Sequence, residues 1–174
     1  MRKKRLLQLT AALLCAVILS ACGGAPADAD YTCTVSISCA TILDNMDQCA
    51  ESKKELVPAD GVILPSTEVA FAEGESAFDV LQRVCRDNGI HLESKFTPVY
   101  NSAYIQGIHN IYEFDVGKLS GWMYAVNDWF PNYGCSLYQV QDGDVIRWVY
   151  TCDLGADVGG GQAAGDGQQE GAST

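Results

Sequence analysis

The sequence predicts an α+β fold with disulfide bonds, because one amphipathic helix stands among several strand-like stretches and the chain contains eight cysteines. The strand signal is clearest in residues 31–42, where apolar side chains alternate with threonine and serine, as in a strand buried on one face. The helical signal covers residues 77–88, where apolar residues recur at the spacing of one helix face. One helix among several strands indicates a helix that packs on a β-sheet.

The first 21 residues predict a signal peptide. Four basic residues at positions 2–5 precede an apolar stretch at 6–19, which is shorter than the ~20 residues of a membrane-spanning helix. Residues 19–22 (Leu-Ser-Ala-Cys) then resemble the lipobox of bacterial lipoproteins, in which the cysteine is lipidated. We therefore expect an exported protein that Cys22 anchors to the outer face of a bacterial cell membrane. The alternative is ordinary cleavage nearby, which leaves Cys22 as a spare thiol.

Composition limits the partners and the extent of the folded domain. The 174 residues include 11 basic and 22 acidic side chains, a formal net charge of −11, which repels phosphate backbones and argues against a nucleic-acid partner. Residues 22–30 are small and polar and predict a flexible tether. The Gly-rich residues 155–174 are nearly free of large apolar side chains and predict a disordered tail. The folded domain is therefore expected at 31–154.

The elements before and including the helix follow from local patterns. After the strand at 31–42, residues 44–58 are polar and predict a loop or short helix. Two short extended pieces then surround Pro65. Ser76 is placed to cap the helix at 77–88, with Asp79 three residues later as in a capping box, and Gly89 is placed to end it.

After the helix the pattern is again that of strands. The predicted strands are 90–96, 104–108, 110–114, 121–127, 136–140 and 145–151. Asp142-Gly143 between the last two is a strong hairpin signal. The resulting order, ββαβ followed by a meander, predicts a β-grasp-like sheet packed on one main helix.

The cysteines indicate disulfides, because six remain after Cys15 in the signal peptide and Cys22 are set aside. Cys135 and Cys152 would lie opposite each other at the ends of the predicted hairpin and are the first candidate pair. Cys39 and Cys85 are the second, because both are expected on inward faces. The remaining two, Cys33 and Cys49, are paired or free. The chain has no Cys-x-x-Cys motif and only two histidines, which argues against zinc and thioredoxin-like sites.

The sequence offers no catalytic constellation. The two histidines, His91 and His109, are the only obvious general bases, and neither stands in a recognisable nucleophile motif. The Gly-x-Ser-x-Gly, His-Glu-x-x-His and phosphate-binding glycine motifs are all missing. We therefore expect no enzyme activity, no catalytic residue, no bound metal and no cofactor.

Three stretches resemble the transcobalamin-like C-terminal domain. They are the Glu-Gly-Glu-Ser-Ala-Phe-Asp-Val-Leu segment at 73–81, the Gly-Trp-x-Tyr-x-Val-Asn core at 121–127 with the turn at 130–134, and Asp-Gly-Asp-Val-Ile-x-Trp-x-Tyr at 142–150. The likeness covers about residues 67–150. It implies the β-rich second domain of cobalamin carriers, which closes cobalamin against a large helical barrel. We expect no such barrel here, because the residues after Cys22 are too few for one.

The predicted ligand-binding residues are aromatic or polar side chains in two connections. Aromatic residues between strands have less core to enter and can form an exposed platform for a flat apolar ligand or a protein. The candidates are Trp129, Phe130, Asn132 and Tyr133, with Tyr100 and Tyr104 at the same edge. The first hypothesis is a tethered binding lipoprotein that captures cobalamin or another corrinoid. The alternative is a surface module that binds a protein or glycan and no small molecule. A concave aromatic pocket favours the first, and a flat patch or exposed strand edge the second.

Overall fold

The computed structural model describes residues 24–26 and 28–160. The predicted signal peptide, the lipidation site Cys22 and residues 161–174 of the predicted tail lie outside these described residues. Within the described part of the chain, no helix is long and apolar enough to cross a membrane.

The described residues form seven strands, one α-helix and three short 3-10 helices. The strands are β1 (Tyr31–Ser38), β2 (Val62–Phe71), β3 (Leu92–Thr97), β4 (Ser102–Ile108), β5 (Ile111–Tyr112), β6 (Gly121–Val126) and β7 (Val145–Thr151). The α-helix, α1, is Ala77–Asp87, and the 3-10 helices are Ala40–Asn45, Glu51–Leu56 and Ala156–Val158. The predicted α+β class is thus confirmed.

The strands are divided between two sheets. The larger has the order β2-β1-β7-β6, with β1 and β7 parallel at its centre and antiparallel pairs on both sides. The smaller has the order β3-β4-β5 and is antiparallel. The sequence pattern suggested a single sheet and did not separate these two. Pro65 lies in β2, an edge strand, where its missing N–H costs no ladder hydrogen bond.

The helix begins and ends as its sequence indicates. The Ser76 hydroxyl accepts a hydrogen bond from the Asp79 backbone N–H (3.2 Å), and the Asp79 carboxylate accepts one from the Ser76 N–H (2.9 Å). This reciprocal capping box satisfies two N–H groups that the helix leaves open. Gly89 has a φ of +65°, the left-handed conformation that commonly ends helices.

The larger sheet has buried apolar residues on both faces where β6 and β7 lie. On one face Trp122, Tyr124 and Val126 of β6 join the main core with the inward side of α1, as the alternation of β6 predicts. On the other face Ala125 packs with Phe130, with Met123 beside them, in a second cluster.

The predicted hairpin at 136–151 is not formed. Strand β7 pairs with β1 on one edge and β6 on the other, so no edge remains for residues 136–140. That segment bonds instead to the start of α1: the Ala77 N–H donates to the Tyr138 carbonyl (2.9 Å), and the Val140 N–H donates to the Glu75 carbonyl (2.9 Å). The turn at Asp142-Gly143 is present, but its Gly143 N–H donates a hydrogen bond to the Thr32 carbonyl of β1 (2.8 Å) and not to residues 136–140.

The predicted disulfides are absent, and all six described cysteines are unbonded. The pair Cys135–Cys152 fails because the hairpin that would align them is missing. The Cys135 Sγ contacts the Ala103 carbonyl (3.7 Å), whereas the Cys152 Sγ contacts the Thr41 Oγ1 (3.9 Å). Cys39 and Cys85 are also unbonded: Cys39 stands between β1 and the first 3-10 helix, and Cys85 is buried on α1. Cys33 and Cys49 are likewise unpaired.

The first residues of the predicted tail belong to the folded unit. Residues 156–158 form a 3-10 helix between two glycines of positive φ, and Asp157 accepts a hydrogen bond from the Cys152 N–H (2.7 Å). Gly160 lies so close to Met123 and Phe130 that a Cβ there would be 3.0–3.1 Å from each. The packed domain therefore extends through residue 160, past the predicted end at 154.

Candidate ligand-binding groove

An open groove of about 820 Å³ lies between the β3–β4 hairpin and the loop at 127–136. Its volume is within the range of small-molecule sites, about 300–1,000 Å³. One wall comes from β3, the turn at 98–101 and β4, and the other from 131–134. The lining residues are Lys95, Phe96, Thr97, Pro98, Tyr100, Ser102, Ala103, Tyr104, Gln106, Glu113, Pro131, Asn132, Tyr133 and Gly134.

The hairpin wall is shaped by the tight turn at 98–101 and by strand alternation. The Tyr100 N–H donates to the Thr97 carbonyl (3.1 Å), and Asn101 adopts a positive φ of +46°, which asparagine tolerates better than most residues. Successive residues of β4 point to opposite faces. Ile105 is therefore buried in the main core, whereas Tyr104 and Gln106 line the groove.

The loop wall begins with a two-residue turn after β6. Asn127 and Asp128 have φ values of +50° and +66°, and Val126 and Trp129 exchange two backbone hydrogen bonds (2.8 and 2.9 Å). Two consecutive positive φ angles are typical of the type I′ turn that suits twisted strands. The Asn127 Oδ1 also accepts a hydrogen bond from the Val145 N–H (2.9 Å). These bonds fix the direction in which the chain leaves β6 toward the groove.

The two walls are joined by hydrogen bonds and by a close glycine contact. The Ser136 Oγ accepts from the Ala103 N–H (2.9 Å) and lies 2.9 Å from the Ser102 Oγ. The Tyr124 hydroxyl donates to the Tyr133 carbonyl (2.9 Å) from below. At Gly134 an added Cβ would lie 1.8 Å from the Ser102 Oγ, so only glycine permits this approach. The groove is therefore held at a fixed width.

Four aromatic side chains face the groove and remain accessible. The exposed fractions are 59% for Phe96, 73% for Tyr100, 44% for Tyr104 and 40% for Tyr133. Exposed aromatic rings offer apolar faces for stacking, and a cluster of them is unusual on a protein surface that binds nothing. Amides, hydroxyls and two charged groups, one of each sign, complete the lining.

Tyr104 is paired with Glu113 in the lining of the groove. The tyrosine hydroxyl donates a hydrogen bond to the glutamate carboxylate. Burial of the phenol, together with this hydrogen bond and the negative charge of the carboxylate, raises the pKa of Tyr104 to about 12. The phenol is therefore protonated at neutral pH and acts as a hydrogen-bond donor, not as a base.

The structure brings four of the six predicted residues together, since Tyr100, Tyr104, Asn132 and Tyr133 all line the groove. Trp129 does not line it. Its ring is 50% exposed and packs edge to face against Tyr133, with 5.9 Å between ring centroids.

The prediction that Phe130 faces the ligand is wrong. Its side chain is 5% exposed and packs with Ala125 and Val149 in the second core cluster. The turn at Asn127 and Asp128 directs Phe130 to the outer face of the larger sheet, where it excludes water from that cluster.

Sequence reasoning did not find Phe96, Gln106 or Glu113. Strand β3 is an edge strand whose central residues are all exposed, so Phe96 breaks the expectation that apolar residues in an alternating strand are buried. Gln106 could have been predicted, because it lies two residues after Tyr104 in the same strand and therefore faces the same side. Glu113 could not have been predicted from the local sequence. It directly follows β5, and the pairing of β5 with β4 places it beside the groove.

The described lining contains neither histidine nor cysteine. Across the described residues, no group of three or more His, Cys, Asp or Glu side chains is arranged to hold a metal ion. The groove therefore offers stacking surfaces and hydrogen-bonding groups and does not bring a nucleophile together with a histidine base.

Residues 74–152 match a family model described as a domain of unknown function, DUF4430. No curated protein matches the chain significantly. Among solved structures, a protein from Ruminococcus gnavus described as a candidate metal-binding protein has a TM-score of 0.42 and 15% identity, over 70% of this chain and 97% of that one.

A crystal structure of haptocorrin in complex with Cbi is also similar. Its TM-score is 0.52 and its sequence identity 12%, over 71% of this chain. The match covers 25% of the haptocorrin chain, so this protein corresponds to about a quarter of that relative. At this identity the similarity concerns the fold alone. The domain has a transcobalamin-like fold.

Proposed function

We propose that this protein is an extracytoplasmic binding lipoprotein that captures cobalamin or another corrinoid in the groove between the β3–β4 hairpin and the loop at 127–136. The observation that carries the proposal is the cluster of four accessible aromatic rings on the walls of one concave site. We propose no catalytic role and no resident cofactor.

The chemistry of the groove suits a corrinoid. A corrin ring is a broad, flat macrocycle with apolar faces and a rim of amide side chains. Aromatic rings such as Tyr100 and Tyr133 can pack on its face. Side-chain amides and hydroxyls, such as those of Gln106, Asn132 and Tyr104, can exchange hydrogen bonds with the rim. The haptocorrin structure with Cbi supports this ligand class through the shared fold.

The open shape of the groove limits the affinity that we expect for a corrinoid. The domain matches only a quarter of haptocorrin, and an open groove covers one side of a macrocycle. Because affinity depends on how much ligand surface is removed from water, we expect a dissociation constant of about micromolar, worth roughly 8 kcal/mol.

The test is a titration of the mature, unlipidated chain with cobinamide and with cobalamin, followed by corrin absorbance and tryptophan fluorescence. We expect saturable binding that Tyr133→Ala weakens about fivefold or more, because loss of an aromatic stacking contact costs about 1 kcal/mol or more. The matched control is Tyr31→Ala, since Tyr31 is 38% exposed and lies outside the groove. Absence of binding up to ~1 mM, or equal weakening by the control, would contradict the proposal.

The anchoring part of the proposal rests on the N-terminal sequence and has its own test. Expression of the full chain in a bacterium should give a membrane-bound form that is labelled by a fatty-acid probe. Cys22→Ser should abolish that labelling and release the protein or leave its signal peptide attached. Labelling that persists in Cys22→Ser would show that another residue carries the lipid.

A protein- or glycan-binding module is the second candidate. Strand β3 is an edge of the smaller sheet with its central residues exposed, and Val99 in the adjoining turn is 85% exposed. An unpaired strand edge can accept an extended segment of another protein. This candidate is favoured if corrinoids do not bind and if Val99→Asp removes an interaction with another surface protein.

A further inference from the structure

Strand β3 has one edge that no other strand of the described residues covers. It is the outer strand of the smaller sheet, and its residues 93–96 are all exposed. An edge of this kind presents a row of backbone N–H and C=O groups that can pair with a further strand. The sequence of β3 indicates which strand fits there.

The register of the β3–β4 hairpin shows which backbone groups of β3 point to the free edge. Ala103 of β4 stands opposite Phe96, but its N–H donates to the Ser136 Oγ (2.9 Å) and therefore points away from β3. Opposed residues of an antiparallel pair either both bond to each other or both point outward, and the two kinds alternate along a strand. The outward-pointing residues of β3 are therefore Leu92, Ser94 and Phe96.

The side chains of β3 are complementary to those of a second β3 strand. The strand reads Leu-Glu-Ser-Lys-Phe-Thr. Antiparallel pairing of two copies about Ser94 places Glu93 of each copy opposite Lys95 of the other. It also places Leu92 opposite Phe96. Opposite charges and apolar pairs at directly opposed positions stabilise a sheet, so this pairing satisfies all four flanking side chains.

The charges also exclude the neighbouring registers. Outward-pointing residues must oppose one another, so the centre of the pairing can move only from Ser94 to another residue of the strand. Pairing centred on Glu93 sets two glutamates directly opposite each other, and pairing centred on Lys95 sets two lysines opposite each other. Both arrangements are repulsive. A lysine on an edge strand commonly prevents pairing, but here the glutamate two residues earlier supplies its partner.

The two kinds of pair lie on different faces of the hairpin. Glu93 accepts a hydrogen bond from the Tyr112 hydroxyl (2.8 Å), and Lys95 stands opposite Tyr104 and lines the groove. The charged pairs would therefore form on the groove face. Leu92 packs against the main core on the other face, so the apolar pairs would extend that core across the interface.

We propose that this protein forms a two-fold symmetric dimer in which β3 pairs antiparallel with β3 of a second copy, centred on Ser94. The two Ser94 residues exchange two backbone hydrogen bonds, and each pair of Leu92 with Phe96 exchanges two more. The two smaller sheets become one continuous sheet. Because the two-fold axis is perpendicular to that sheet, both grooves open on the same face. The dimer requires no ligand and is independent of the proposed corrinoid binding.

The dimer is expected to be weak and reversible. One short strand from each copy buries less than the ~1,200 Å² of a stable interface. The formal net charge of −11 on each copy opposes association, although about 0.15 M salt screens charges that are more than ~8 Å apart. We therefore expect the dimer to be populated at about 0.1 mM protein.

The test is sedimentation velocity of the mature, unlipidated chain without ligand, from ~10 μM to ~1 mM in ~0.15 M salt. We expect the sedimentation coefficient to rise with concentration to that of a dimer. Lys95→Glu should keep the chain monomeric, because it places a glutamate opposite Glu93 of the other copy. The matched control is Lys118→Glu, which makes the same change in charge at an exposed lysine outside β3 and should still dimerise.

Two further variants test the register. Glu93→Lys combined with Lys95→Glu restores opposite charges without changing the net charge of the chain and should recover the dimer. Ser94→Pro removes an outward N–H at the centre of the interface and should prevent dimerisation. The β3–β4 pairing keeps its hydrogen bonds in this variant, because proline is tolerated on an edge strand where the N–H faces solvent. Far-UV circular dichroism checks that each variant is folded.

Three results would overturn the proposal. The first is a chain that stays monomeric up to ~1 mM, which would leave the edge of β3 to a different protein. The second is a dimer that persists in both Lys95→Glu and Ser94→Pro. The third is a folded double charge variant that stays monomeric where the original chain dimerises. None of these results depends on whether a corrinoid binds in the groove.

Discussion

Replacement of Gly134 by alanine is expected to force the two walls of the groove apart. The new Cβ would lie 1.8 Å from the Ser102 Oγ and 2.4 Å from the Ser102 Cβ, whereas ordinary van der Waals contact begins at 3.4 Å. Ser102 is 2% exposed, so its side chain has no free space to enter. Overpacking of this kind costs about 1–3 kcal/mol, and loss of a hydrogen bond of Ser136 adds about 1 kcal/mol.

The assay is urea denaturation, with the free energy of unfolding expected to fall by about 2–4 kcal/mol. Gly121→Ala is the control, because the nearest atom to a Cβ there is the Glu113 Cβ at 3.7 Å. Ser102→Gly combined with Gly134→Ala removes the clashing side chain and should recover part of the loss. If Gly134→Ala is as stable as the control, the close glycine contact does not set the groove width.

Three further outcomes follow from single groups. Glu113→Gln should lower the pKa of Tyr104 from about 12, because the carboxylate contributes to raising it; phenolate absorbance measured against pH would show no shift if burial alone acts. Stability should fall as pH rises above about 9, because a thiol such as Cys39 has a pKa of 9.0 when unperturbed and about 11 when folded, so the folded state binds more protons over that window. Urea titrations from neutral pH to pH ~11 test this, and a flat profile would contradict it. Asp144→Asn should destabilise the domain by about 1.5–3 kcal/mol, because this 4%-exposed carboxylate accepts hydrogen bonds from the Tyr138 hydroxyl (2.8 Å) and the Gln141 N–H (2.9 Å); thermal unfolding measures the loss, and an unchanged midpoint would refute it.

The helix and the strands β6 and β7 were predictable because their signals are local. The capping box of Ser76 and Asp79 acts within one turn, and alternation along β6 separates Trp122 from Met123 without reference to other strands. The partner of β7 was not predictable in this way. The Asp-Gly turn favours a hairpin with 136–140, but β1 arrives from the other end of the chain and takes that edge.

The part of the candidate site that could be predicted consists of aromatic residues in the connections between strands. Tyr100 lies in a turn and Tyr133 in a loop, and both side chains stay exposed and line the groove. Phe130 belongs to the same loop, but the outer face of the sheet provides a second apolar cluster for it. Residue type and position in a loop therefore do not distinguish a ligand-facing ring from one that covers the reverse side of a sheet.

The parallel pairing of β1 with β7 has a consequence for folding kinetics. It joins segments from opposite ends of the domain, as in the hydrogen bond from the Thr32 N–H to the Asp142 carboxylate, which are 110 residues apart. Contacts of such long sequence separation slow folding, because loop closure must precede them. The central strand pair cannot close until the chain is available as far as Thr151. A chain that is threaded across a membrane from its N-terminus would thus remain unfolded during passage and complete its sheet only after the last strand has emerged.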